Sequence, residues 1–325
     1  MKVLVNGAGI GGLCAAFEFA SRGAEVTLKE KSTELSVNPS WQAGGMLAPW
    51  CEGEAADEIV VAEGAKAVHW WKKALPNEVQ HHGTLVVVAP RDASELSRFS
   101  TQTTNHDMID GNRISELEPS LAGRYRKALF FKEEAHIDPR RAMLALADKL
   151  QAMGGRIELD ATGEPDDPAY DIVVNAVGMA EKDSRLRGVR GEMLIVRTPE
   201  VALSRPVRLL HPRIPLYVVP RADHHFMIGA TMIESDADLK PTVRSVVELL
   251  NASFTLHPAF AEAEVMEMNS GVRPAFADNI PRVEKRGRQI LINGFYRHGY
   301  LMAPSLAVQA ADMAFELTNT EDITS

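Results

Sequence analysis

Cysteine is almost missing: Cys14 and Cys51 are the only two in 325 residues, and neither belongs to a CxxC or metal-type spacing. That removes a cysteine-built metal site from consideration and makes a reducing cytoplasm the simplest compartment. Positive charge is also in short supply. The formal net charge is −9, which argues against nucleic acid or an anionic membrane as partner, because both need a basic surface. No apolar run approaches the roughly eighteen residues that span a bilayer. The Met1–Asn6 stretch is short and ends in a glycine loop, so no signal peptide is expected there. The pairs His81-His82 and His224-His225 adjoin strand starts and lack acidic or cysteine partners at metal spacing. They read as exposed edge histidines, no metal is expected, and no Ser/His/Asp constellation occurs.

What is present is ordinary globular composition, 45% hydrophobic and 24% charged, in a chain longer than one hydrophobic core comfortably serves. Two domains are therefore expected. Lys2–Val5 reads as a buried strand, followed by Gly7-Ala-Gly9-Ile-Gly11-Gly12 and a helix with apolar Leu13, Ala16, Phe17 and Ala20. Gly23 stops that helix, Cys14 falls on its buried face, and Ala24–Leu28 forms the next strand with Glu30 at its end.

Further along, Trp41–Trp50 reads as a loop leading to a helix with Val68, Trp70 and Trp71. Thr84–Ala89 reads as a strand, Ala93–Asn105 as a polar helix, Pro139 to about Met153 as a helix, and Asp171–Ala176 as a buried strand ending at Gly178. From Glu192 to Met232 the pattern turns to short strands: Met193–Arg197, Val207–Leu210, Leu216–Pro220 and His225–Thr231. A helix over Thr242–Thr255, a strand near Val265–Met268, a strand Gln289–Asn293, a loop Gly294–Gly299 and a helix Pro304–Leu317 complete the reading. The ends look α/β and the middle mainly antiparallel β. The expected architecture is a Rossmann-like three-layer α/β domain (1–80, 135–188 and 270–325) with an inserted α+β substrate domain (81–134 and 189–269).

The glycine loop carries chemistry because of its context. A strand precedes it, a helix follows, and Glu30 stands eighteen residues beyond Gly12. Gly7 permits the tight turn, Gly9 lets the backbone approach a pyrophosphate, and Gly12 lets helix and strand pack closely. The helix N-terminus offers N–H groups and partial positive charge to phosphates. Glu30 is placed to accept hydrogen bonds from adenosine ribose hydroxyls, with Ile10, Gly11 and Lys31 beside it. The motif alone does not separate FAD from NAD. Its place at the N-terminus, the C-terminal strand–Gly–helix and the lack of a second GxGxxG tip the reading to FAD.

With these pieces placed, the sequence resembles the glycine oxidase and D-amino-acid oxidase family of FAD-dependent oxidoreductases, which includes sarcosine oxidases, and most of all the short bacterial glycine oxidases of thiamine biosynthesis. The resemblance runs through GAGIGG, SWQAGGMLAPW (Ser40–Trp50), HIDPRR (His136–Arg141), RGE (Arg190–Glu192), LYVVPR (Leu216–Arg221), IGATM (Ile228–Met232), GVRPAFADNIP (Gly271–Pro281) and GFYRHGYLMAP (Gly294–Pro304), in that order. It implies that Gly44, Gly45 and Met46 run along the flavin, that Gly178 lies near it, and that Gly294, Phe295, Tyr296, Arg297, His298, Gly299, Tyr300 and Leu301 wrap its ring. By the same resemblance Arg273 pairs with the substrate carboxylate, Tyr217 lines the pocket and hydrogen-bonds that carboxylate, Arg297 stands on the substrate side, and Met232 is a pocket methionine. Three departures stand out. Pro215 replaces a pocket histidine of some relatives, His298 replaces a more usual asparagine, and the Leu159–Asp171 segment is short near the adenine end.

The resemblance implies oxidation of a small amino acid or amine (glycine, sarcosine or a small D-amino acid) by hydride transfer from Cα to flavin N5. O₂ is then reduced to H₂O₂ and the imine is hydrolysed to an oxo acid and ammonia or amine. Two other readings stay open: a dehydrogenase passing electrons to a different carrier, and a non-catalytic flavin-binding subunit. A homo-oligomer is compatible with the sequence, which leaves the oligomeric state open.

Overall fold

In the computed structural model, residues 1–211 and 216–321 are described, with side chains to 316. Pro215 lies outside the described residues. Lys2–Asn6 forms a strand whose Val3, Leu4 and Val5 are fully buried, as suits a strand covered on both faces. It is the centre of a six-stranded sheet ordered Arg282–Arg286, Gln289–Asn293, Ile172–Asn175, Lys2–Asn6, Glu25–Glu30, Arg156–Leu159. All pairings are parallel except that of Arg282–Arg286 with Gln289–Asn293. The helix Ile10–Ser21 connects the first two of these strands in sequence and buries Leu13, Cys14, Ala16 and Phe19. Cys14 is thus a packing residue, and burial pushes its thiol well up.

Gly7 and Gly12 are dictated by contact. Gly7 has φ +95°, and a Cβ on it would lie 2.5 Å from the Ala176 carbonyl oxygen. A Cβ on Gly12 would lie 1.8 Å from the Gly7 carbonyl oxygen, so only glycine lets this helix sit down on its strand.

A nine-stranded sheet, mostly antiparallel, takes the middle of the chain. Its path runs Ile233–Glu234, Arg187–Arg197, His225–Gly229, Leu216–Pro220, Val207–Leu210, Thr84–Val88, Lys127–Phe131, Asp107–Asp110, with Glu264–Ala275 paired along Arg187–Arg197. The helix Val243–Leu256, capped by Thr242, packs Leu249, Ala252 and Leu256 into the same core as Leu194, Val218 and Phe226. A small sheet of Met46–Leu47, Ala135–Ile137 and Val79–Gln80 completes the β structure. The α/β sheet with a second, mainly antiparallel sheet matches the fold class expected from the sequence.

Several elements differ from the sequence expectation. Arg187–Arg197 is eleven residues long where only Met193–Arg197 is expected, and Glu264–Ala275 is twelve where Val265–Met268 is expected. Their outer halves carry Arg, Gly and Pro, which mask strand periodicity. Pro274 is tolerated because no other described strand pairs with Glu264–Ala275 on its far side. The polar strands Asp107–Asp110, Arg156–Leu159 and Arg282–Arg286 carry almost no apolar signal. The segment after Trp41 holds three helices, Pro49–Glu52, Glu58–Gly64 and Ala67–Ala74, rather than one.

The last helix begins at Gly299, five residues before the expected Pro304, which instead lies inside it. Proline has no N–H to give the carbonyl one turn back. Trp71 Nε1 supplies that bond, donating to the Tyr300 carbonyl at 2.9 Å.

Candidate functional site

One long cavity of about 690 Å³ runs between the two large sheets. At one end it is walled by Lys29, Glu30, Lys31, Ser32 and Ala161–Gly163, and at the other by Glu52, Tyr217, Met232, Arg273 and Arg297. Every site residue expected from the sequence lies on its wall except Gly12 and Gly294. Gly12 is the helix-to-strand contact described above. Gly294, at φ +83°, lies where a Cβ would strike the Phe276 ring.

The first helix opens on the cavity through Gly9, Ile10 and Gly11. Gly9 is its N-cap and has no side chain to satisfy the first-turn N–H groups. Glu30 is already engaged: Oε2 accepts the Ala8 N–H at 2.8 Å and Oε1 accepts the Ser32 N–H at 3.1 Å. The carboxylate therefore braces the glycine loop from within and keeps one lone-pair direction on each oxygen for a ligand. Ser40 adds a second brace, its Oγ accepting the Ile10 N–H at 3.0 Å.

Toward the middle, Gly44, Gly45 and Met46 line the wall, and a Cβ on Gly44 would meet nothing closer than 3.8 Å. Arg221 Nη2 donates to the Gly44 carbonyl at 2.8 Å and fixes this stretch from behind. Phe295–Leu301 forms the facing wall. It is turned into place by Tyr296, at φ +49°, whose N–H donates to the Pro274 carbonyl at 2.8 Å. The last helix starts within this wall, so its N-terminal dipole end lies at the cavity, from Gly299 rather than Pro304.

At the far end four polar side chains converge. Tyr217, on an inner strand and 7% exposed, donates its hydroxyl to Glu52 Oε1 at 2.7 Å. Arg297 Nη2 donates to the same oxygen at 3.1 Å and to the Tyr217 hydroxyl at 3.1 Å. His298 Nδ1 stands 3.9 Å from Glu52 Oε2. Burial works to raise the Glu52 carboxyl, but Arg297, His298, Arg208 and the Tyr217 hydrogen bond outweigh it and hold it at about 2. Burial pushes His298 down to about 4 despite Glu52, so its ring is neutral near pH 7. Glu52 is a site residue that the sequence reading does not identify. Its only signal is an acid six residues past Met46, just beyond a Gly/Ala/Trp-rich segment.

Arg273 behaves differently. Its Nη1 donates to the Thr231 carbonyl at 3.2 Å, and its guanidinium lies over Gly191, where any Cβ would come within 2.1 Å of Nη2. Among the described residues no carboxylate pairs with it. Burial and the neighbouring Arg297 push it down to about 10, which leaves it cationic near neutral pH. Met232 is 43% exposed at the rim, with its sulfur 3.3 Å from the Tyr296 hydroxyl and 3.5 Å from Arg297 Nη1.

No group of three or more potential metal ligands occurs among the described residues. His81, His82 and His224 are exposed and His225 half-buried. Among the described residues no helix is long and apolar enough to cross a membrane.

A glycine loop at one end, an arginine-rich pocket at the other and a helix start between them define a dinucleotide-cofactor oxidoreductase. The chain belongs to the FAD dependent oxidoreductase (DAO) family, whose model matches residues 2–313. It is 52% identical over 313 residues to a Rhizobium etli protein carrying the provisional name thiamine biosynthesis oxidoreductase ThiO, covering 96% of this chain and 95% of that one. It is 23% identical over 346 residues to a glycine oxidase of Bacillus licheniformis, covering 95% and 92% of the two chains. Among solved structures, glycine oxidase from Geobacillus kaustophilus shares the fold at TM-score 0.81, with 22% identity over 97% of this chain and 95% of that one. FAD is the cofactor of this enzyme. The first-turn N–H groups at Gly11 and Gly12 left without a side-chain cap, the open glycine wall and the cavity volume all fit it.

Proposed function

We propose that this enzyme oxidises a small amino acid or amine (glycine, sarcosine or a small D-amino acid) to its imine, with O₂ as the final acceptor and H₂O₂ as product. The observation that carries this reading is Arg273: a half-buried guanidinium on the cavity wall without a carboxylate partner among the described residues. Such a cation is costly to bury alone, and a substrate carboxylate pairs with it in a planar, two-pronged fit. The similarity to proteins named ThiO and glycine oxidase supports an amino-acid substrate, glycine first, and a place in thiamine biosynthesis.

In this reading the glycine loop, Glu30 and Lys31 hold the ADP half of FAD, while Gly44–Met46, Gly178 and Phe295–Leu301 hold its ring. Bound FAD supplies a two-electron acceptor for the hydride leaving the substrate Cα. Arg273 fixes the carboxylate, and the Tyr217 and Arg297 side confines the rest of the substrate, so catalysis is mostly positioning. No protein base is needed, because the neutral amine is the reactive form. Water then hydrolyses the imine to an oxo acid, releasing ammonia or a primary amine. The division into a cofactor domain (1–80, 135–188 and 270–325) and a substrate domain (81–134 and 189–269) belongs to the same proposal, as does a cytoplasmic location.

Replacement of Arg273 tests the assignment. Arg273→Ala that retains its flavin should lose at least about a hundredfold in kcat/KM for the best small amino acid, mostly through KM. Full turnover in that variant would remove Arg273 from the carboxylate role.

A further inference from the structure

We propose that Glu52 sets the charge of the substrate pocket and thereby its specificity: by holding Arg297 and Tyr217 it leaves Arg273 as the one uncompensated cation among the described residues of the pocket, so the site admits substrates with one carboxylate and rejects those with two. This rests on the reading of the site as an amino-acid oxidase pocket.

The charge inventory is short. Arg208 is taken up by Glu54, at 2.6 Å from Nη2 to Oε2. Arg297 is taken up by Glu52, at 3.1 Å. His298 is neutral, and Arg273 has no partner among the described residues. Asp236 and Asp238 also reach the cavity but are exposed, where water screens them.

One substrate carboxylate therefore balances the charge of these described groups. A second would face the Glu52 carboxylate, whose charge already offsets that of Arg297 through Nη2 and whose Oε1 takes the Tyr217 hydroxyl, and would remain an anion that no further positive charge among the described residues of the pocket balances. Glu52 is 7% exposed, so little water reaches the space beside its carboxylate to screen an anion placed there. Specificity of this kind comes from a repulsive group rather than a tighter fit.

Matched substrate pairs test it on the flavin-loaded full chain: sarcosine against iminodiacetate, and D-alanine against D-aspartate. Each pair differs by one carboxylate. The native enzyme should prefer the monocarboxylate of each pair. Glu52→Gln keeps an acceptor for Tyr217 and Arg297 but removes the charge. It should raise the dicarboxylate-to-monocarboxylate ratio of kcat/KM by at least about tenfold in one pair or both, through the dicarboxylate KM rather than kcat.

Arg297→Gln leaves Glu52 unpaired and should raise the monocarboxylate KM. Adding Glu52→Gln to it should bring that KM back down, a rescue that a purely structural role would not produce. An unchanged ratio in Glu52→Gln, or a double variant no better than Arg297→Gln alone, overturns the proposal. If Glu52→Gln fails to hold flavin, inhibition of the native enzyme decides: acetate should compete more tightly than malonate, and equal or tighter malonate overturns it. Absence of turnover with every monocarboxylate amino acid would instead count against the function itself.

Discussion

At the scale of single residues, the site depends on which buried acids are charged. Glu134 is fully buried and braces the helix that bears Glu52, its Oε1 accepting the Cys51 N–H at 2.7 Å. Burial, with a contribution from the Glu52 charge, pushes its carboxyl up to about 8 against hydrogen bonds that oppose the shift. The folded state thus binds this proton more tightly than the unfolded state. Raising the pH from the ordinary value near 4.5 to about 8 therefore costs stability through this group. Glu134→Gln should match the native thermal midpoint near pH 5 and exceed it near pH 9. A midpoint difference that stays constant over that range would show that Glu134 ionises freely. Glu52 has the opposite sign: its carboxyl is held at about 2, so its contribution is intact above the ordinary carboxylate range and is lost only as the pH falls toward 2. Two neighbouring acids thus play different parts, one neutral and structural, the other an anion in the pocket.

At the scale of elements, the last helix illustrates what sequence can and cannot reveal. Pro304 looks like a first-turn proline, because that is where helices tolerate it best. The structure starts the helix at Gly299 instead, because Trp71, more than two hundred positions away in sequence, satisfies the Tyr300 carbonyl that Pro304 leaves without a donor. Trp71→Phe should therefore lower the thermal midpoint by several degrees, since a buried carbonyl without a partner costs about 1–3 kcal/mol. Trp71→Phe combined with Pro304→Ala should recover part of that loss, because alanine restores the donor. A Trp71→Phe protein as stable as the native one would assign Trp71 a packing role only. Other elements were legible from local pattern. Val207–Leu210, Leu216–Pro220 and Gln289–Asn293 appear with the ends expected, because Pro, Asp, Arg and Gly punctuate apolar runs. Arg156–Leu159 and Arg282–Arg286 were not legible, since polar edge strands take their conformation from the neighbour they pair with.

At the scale of the whole molecule, the opening glycine loop and the C-terminal segment meet across one cavity, as the order of motifs along the chain implies. The parts that sequence did not show are those that need two distant segments at once. Glu52 acquires its role only when Tyr217 and Arg297 arrive beside it, and Glu30 proves to brace the loop as well as to face the cavity. The central claim is that this arrangement strips hydride from a small amino acid held by its carboxylate. Its most direct test is anaerobic mixing of the yellow, flavin-loaded protein with glycine, sarcosine or D-alanine while the flavin absorbance is followed. The account predicts bleaching by at least one of them, with a rate at low substrate that rises toward alkaline pH as the amine loses its proton. Flavin that stays oxidised with all three, or bleaching with no pH dependence from mildly acidic to alkaline solution, would contradict it.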